Sequence, residues 1–157
     1  MIVYLGIGSN IDPHTHIDNA KQALTKQFST ARFSRTYQSQ AVGFSGNDFL
    51  NLVAEIHTQA SLIDLIEQIK QLEDKLGRRR GGEKFSSRHI DIDILLYGNE
   101  VTDTPIILPR EEIRDNAYVL RPLAELAPEL PEPGGDQTYG QIWREFDQTA
   151  QQLTPID

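Results

Sequence analysis

The sequence predicts an α+β sandwich, a mostly antiparallel sheet with two helices on one face. Three observations point there. A buried apolar run at residues 2–7 and alternating apolar stretches at 49–58 and 90–97 read as strands. Two stretches carry apolar residues at helical spacing, one after Asp12-Pro13 and one after Ser61. The segments follow one another as β-α-β-β-α-β, the order of a ferredoxin-like sandwich, and an irregular tail comes after them.

Residues 2–7 run into Gly8-Ser9-Asn10, a turn signal, so Gly6 and Gly8 read as tight-turn packing more than as a phosphate loop. Asp12 reads as an N-cap before proline at the first helical position, and Ile17, Ala20, Leu24 and Phe28 form the helix's apolar face. Residues 31–42, rich in Thr, Tyr, Phe and Val, predict a strand, and 43–48 a loop. In the strand at 49–58, Leu50, Leu52, Ala54 and Ile56 share one face, and Phe49, Asn51, Val53 and Glu55 the other. Ser61 with Asp64 resembles a capping box, Leu62, Leu65, Ile66, Ile69, Leu72 and Leu76 form a stripe, and Gly77 suits the helix stop. In the strand at 90–97, Ile90, Ile92, Ile94 and Leu96 are expected to face the core, opposite Asp91 and Asp93. Gly98-Asn99 closes it, and the proline-punctuated remainder predicts short helices near 119–127 and 138–149.

At 157 residues the chain is long enough for one domain with a real core, spanning 1–157. The absence of cysteine excludes disulfides, zinc-thiolate sites and thiol nucleophiles. No signal-peptide pattern and no membrane-length apolar run is present, so a cytoplasmic protein is expected. A net charge of -8 argues against broad nucleic-acid binding but not against one small anion site.

The stretch from Gly77 to Asp93 is locally out of character. Arg78, Arg79, Arg80, Lys84 and Arg88 run, among glycines, straight into Asp91-Ile-Asp93. Aspartate is disfavoured inside strands, and two on one face repel unless a cation holds them. Mg²⁺ with a polyphosphate, whose remaining charge arginine and lysine would grip, satisfies both halves of the segment. Phe49 and Asn51 on one strand face suit a flat heterocycle, one stacking and the other bonding its edge, and Tyr118 is a candidate second wall. His14, His16, His57 and His89 show no metal spacing, and no serine or threonine has a recognisable base arrangement.

Four pieces resemble the 6-hydroxymethyl-7,8-dihydropterin pyrophosphokinase family: residues 4–11, Phe49 to Asn51 after a glycine-containing loop, Glu73 through Arg88 to Asn99, and Tyr118 to Glu129. The run from Arg88 to Gly98 is the specific one. The resemblance implies a ferredoxin-like fold that moves pyrophosphate from ATP to the pterin's hydroxymethyl group. It implies two Mg²⁺ ions on Asp91 and Asp93, and a pterin sandwiched by Phe49 and Tyr118. Asn51 would bond the ring's edge, and Val42 and Gly43 would offer backbone contacts. Glu73, Ile94 and Arg110 would lie by the nucleotide. Arg78, Arg80, Lys84 and Arg88 would meet the triphosphate, with Arg78, Arg88 and Asp93 the catalytic candidates. The partners expected are ATP and the reduced pterin, with no nucleic acid and no membrane.

The chain departs from the family pattern in two places. Phe85-Ser86-Ser87 stands where a tryptophan and a Gly-Pro or Gly-Ala pair are usual. Arg110 and Asn116 stand where histidine and arginine are usual, and Arg114 is the nearest cation to replace the lost one. Three other readings are open: a pterin-binding paralogue with altered or lost catalysis, a metal-dependent nucleotidyltransferase, and an RNA-binding module. Ser9 and Asp91 lie more than half the chain apart, unlike the short hairpin of nucleotidyltransferases, and two aspartates on the sheet would repel RNA phosphates.

Overall fold

A computed structural model describes residues 1–39, 48–77 and 90–157. The strands are β1 (Ile2–Ser9), β2 (Arg32–Phe33), β3 (Tyr37–Ser39), β4 (Phe49–His57), β5 (Asp91–Tyr97) and β6 (Thr154–Pro155). The helices are α1 (Pro13–Gln27), α2 (Leu62–Lys75), α3 (Glu112–Asp115), α4 (Ala117–Leu126) and α5 (Tyr139–Glu145). The sheet has the order β5-β1-β4-β3-β6, with β2 also on β4, and every pairing is antiparallel. This is the α+β sandwich the segment order predicts.

One sheet face is sealed by α1 and α2. Leu5, Ile7, Leu50, Leu52, Ala54, Ile56, Ile92 and Ile94 meet Ile17, Ala20, Leu24 and Phe28 of the first helical segment and Leu65, Ile69 and Leu72 of the second. The Ser61 hydroxyl accepts from the Asp64 N–H and starts α2, and Gly77 at φ 94° ends it, a conformation a Cβ would strain. Asp12, by contrast, does not cap α1 with its side chain: it sits at φ 41°, and its carbonyl accepts from the His16 N–H.

The other face is covered over only part of its length. Tyr4, Val53, Leu95 and Leu96 pack under Val119, Leu120, Leu123 and Ala124 of α4 and Tyr139 and Ile142 of α5. Leu96 therefore lies on the opposite side from its expected place. The cause is a bulge: β1 pairs Leu5 with Ile94 but Tyr4 with Leu96, so Leu95 is extra and the alternation flips. The strand expected at 31–42 is likewise broken. Three residues, Ser34 to Thr36, stand opposite two of β4, and the Ser34 hydroxyl accepts from the Val53 N–H at 2.9 Å. Gly8 is no turn residue either, because β1 runs on to Ser9 with both neighbours still paired.

Candidate functional site

Register across the three central strands builds the site. Gly8 of β1 pairs with Asn51 on one side and Asp91 on the other; two residues along, Gly6 pairs with Val53 and Asp93. Directly opposed residues share a face, so Asn51, Gly8, Asp91, Gly6 and Asp93 all look the same way. Strand spacing sets the Asn51 and Asp91 backbones about 10 Å apart. The two glycines leave the floor between them bare, and a Cβ at Gly8 would stand 2.7 Å from the Asn51 Nδ2, so the amide would have to shift.

That floor belongs to a cavity of about 1010 Å³ whose lining also includes Phe49, Tyr118, Glu112 and Asn116. Phe49 and Asn51, expected to share a face, and Tyr118, expected as a second wall, are thus brought together with Asp91 and Asp93. Tyr118 reaches the cavity from the start of α4, and its hydroxyl accepts from the Asn116 Nδ2 at 3.0 Å. The Asn51 Oδ1 is buried with no hydrogen-bond partner among the described residues. A buried acceptor of that kind is costly to leave empty. The pairing of an aromatic and an amide on one strand face was legible; the glycine floor was not, although a glycine inside a strand is itself a signal of close approach.

The carboxylate end is electrostatically loaded. Asp93 is pushed up to about 6, first by burial and then by the charge of Asp91, while Arg110 opposes the shift. The Arg110 guanidinium stands 3.7 Å from Asp93 and donates to Glu112 at 2.9 Å. Burial, with the charges of Glu112, Asp93 and Asp91, also raises the Tyr118 hydroxyl. Glu73, near the last turn of α2, is 4% exposed, and its Oε2 accepts from the Ile92 N–H at 2.7 Å. It therefore grips the backbone between the two aspartates. Ile94 faces the other way, its side chain in the α1–α2 core. Arg114 does not replace the cation missing at 116: it is held by Glu132 at 2.6 and 2.8 Å and does not line the cavity. Val42, Gly43, Arg78, Arg80, Lys84 and Arg88 lie outside the described residues, as do Arg79 and Phe85-Ser86-Ser87.

Two aspartates on one face, one of them reluctant to ionise, are a donor set that fits a divalent cation. Among the described residues no group of three His, Asp or Glu forms a metal cage. Such a pair suits Mg²⁺, which keeps several waters and takes its other ligands from substrate phosphates. Nor is any helix among the described residues long and apolar enough to cross a membrane.

Comparison with known proteins identifies the family. Residues 4–128 match the family model of 7,8-dihydro-6-hydroxymethylpterin-pyrophosphokinase. The chain belongs to that family. It is 31% identical over 153 residues to the 2-amino-4-hydroxy-6-hydroxymethyldihydropteridine pyrophosphokinase of Bacillus subtilis, covering 92% of this chain and 91% of the relative. The enzymes of the same name from Aquifex aeolicus (35% identical, 83% of each chain) and Methylorubrum extorquens (38% identical, 81% of this chain and 83% of the relative) are similar over a somewhat shorter span. The matched region of this pyrophosphokinase-family chain contains the glycine floor, both aspartates, Phe49, Asn51 and Tyr118.

Proposed function

We propose that this chain transfers the terminal pyrophosphate of ATP to the hydroxymethyl group of 6-hydroxymethyl-7,8-dihydropterin and releases AMP, a step of folate biosynthesis in the cytoplasm. The observation that carries the reading is the row Asn51–Gly8–Asp91, which sets on one bare floor a carboxylate and an amide acceptor without a partner among the described residues. Phe49 and Tyr118 would enclose the pterin ring, and the Asn51 Oδ1 would accept from its N–H edge. Val42 and Gly43 would add backbone contacts.

Asp91 and Asp93 are the residues that would hold Mg²⁺, two ions by analogy with the family. When bound, the metal supplies charge neutralisation on the triphosphate. Glu73 holds the strand that carries both ligands, through the Ile92 N–H. Arg110 is close enough to Asp93 to turn toward a phosphate, and Arg78, Arg80, Lys84 and Arg88 would take the remaining phosphate oxygens. Ile94 adds no side-chain contact there, because its side chain is buried in the α1–α2 core. The substrate hydroxyl would attack the β-phosphorus in line. A new O–P bond forms as the bond to the bridging oxygen breaks, that oxygen leaves with AMP, and the hydroxyl proton is released to solvent. Positioning and charge neutralisation, with Arg78 and Arg88 as the catalytic cations and Asp93 beside the attacking oxygen, supply most of the rate.

A coupled AMP-release assay with ATP, Mg²⁺ and the reduced pterin, against a pterin-free blank, tests this. One AMP per pterin consumed is expected. Free pyrophosphate would favour nucleotidyl transfer, and pterin-independent release would overturn the acceptor.

A further inference from the structure

The family match ends at residue 128, yet the far end of the chain returns to the cavity. Thr149, Ala150, Gln151, Gln152, Leu153 and Thr154 line it along with Phe49, Asn51 and Tyr118. This strap is fastened at both ends. At one end, Thr154 and Pro155 pair with Gln38 and Tyr37 of β3, Ile156 donates its N–H to the Thr36 carbonyl, and the Thr36 N–H donates to the Asp157 carboxylate at 2.7 Å. At the other end, Gln151 alone spans the start of α4. Its Oε1 accepts from the Ala117 N–H at 2.8 Å, and its Nε2 donates to the Asp115 carbonyl at 2.8 Å.

The first N–H groups of a helix have no partner within it, and a side-chain oxygen that accepts from one does the work of an N-cap. Asn116 holds the N-cap position of α4 but makes no cap bond; its amide is turned to the Tyr118 hydroxyl instead. Gln151 supplies the missing acceptor from 34 positions further along the chain. The residue next to the capped Ala117 is Tyr118, the aromatic wall. A tail residue thus fastens the helix start that carries this ring.

We propose that Gln151 is a positioning residue for the acceptor site, holding Tyr118 against the pterin through the strap of residues 149–154. This deepens the functional reading above and rests on it. The strap presents only uncharged side chains to the cavity, and it lies with the aromatic walls, so its effect falls on the neutral ring and not on the nucleotide.

The test is Gln151→Ala beside Gln151→Glu, which keeps the oxygen for the Ala117 N–H. In Gln151→Ala the KM for the pterin should rise about tenfold, with the KM for ATP within about twofold of the parent. Gln151→Glu, which keeps the acceptor for Ala117 but loses the bond to the Asp115 carbonyl, should recover part of that rise. Amide hydrogen exchange supplies an arm that needs no turnover: the Ala117 amide should exchange about tenfold faster in Gln151→Ala, while the amides of α2 stay unchanged. An unmoved pterin KM, an equal rise for both substrates, an unchanged Ala117 amide, or a Gln151→Ala chain that does not fold would each overturn the positioning role. If the parent chain releases no AMP with the pterin, it is the acceptor reading that fails, and the exchange rates still decide whether Gln151 holds the helix start.

Discussion

Leu52 and Asn51 are neighbours on β4, yet they live in different surroundings. Leu52 is 1% exposed among the side chains of α1 and α2, while Asn51 looks across Gly8 toward Asp91. The same contrast holds for Ile92 and Asp91 on β5. One face of the central strands is closed from end to end; the other is closed by α4 and α5 over Tyr4, Val53 and Leu95 and left bare beyond them. The difference teaches that two-residue periodicity does both jobs at once. Every residue that points a leucine or isoleucine into the core fixes the direction of a chemical side chain on the next position.

The comparison can be broken most forcefully at the aspartates. Asp91→Ala or Asp93→Ala should lower kcat by about 10³-fold or more while leaving the circular dichroism spectrum intact, because the α1–α2 face holds the strand regardless. Turnover surviving with Mg²⁺ would remove these residues from the chemistry. Next in size is the pair on β4. Leu52→Ala should cost about 2–5 kcal/mol in urea denaturation with the pterin KM nearly unmoved. Asn51→Leu should do the reverse, raising that KM by about 10–100-fold with no loss of stability, since its Oδ1 has no partner to lose among the described residues. If both variants moved both quantities, the division between faces would be lost.

Gly8→Ala sharpens the same contrast on a smaller scale. The new Cβ would press on the Asn51 amide, so pterin affinity, measured by calorimetry, should fall about tenfold, and stability should fall by about 1 kcal/mol.

The smallest effect is in pH. Asp93 is held near 6 in the fold, above its ordinary value of 3.8. Between those values the native state binds more protons than the unfolded chain, so metal-free stability falls as pH rises through this window. Asp93→Asn removes that loss. Its Tm advantage over the parent should grow from about pH 4 to about pH 6 and then level off. An advantage independent of pH would mean that Asp93 is not the strained group.

Much of this was legible in the sequence. The alternation of Ile92 and Ile94 with Asp91 and Asp93 placed both carboxylates on one face, and the Leu50/Leu52 alternation did the same for Phe49 and Asn51. What escaped was non-local. Leu96 changes sides because of a bulge set by the pairing with β1, which no single-strand pattern records. Gly8 looks like turn chemistry until two flanking strands are seen to continue past it. Arg114 is a cation near the cavity in sequence, but Glu132 claims it. The bond from Gln151 to Ala117 joins segments whose local patterns say nothing of each other.

The most direct test of the central claim is calorimetric titration of a non-hydrolysable ATP analogue, with and without Mg²⁺, into the parent chain and into Asp91→Asn. Tight binding that depends on Mg²⁺ in the parent and is largely lost in the variant is the predicted result. Equal affinity in the two proteins, or binding indifferent to Mg²⁺, would contradict the assignment of the open sheet face as the site of pyrophosphoryl transfer.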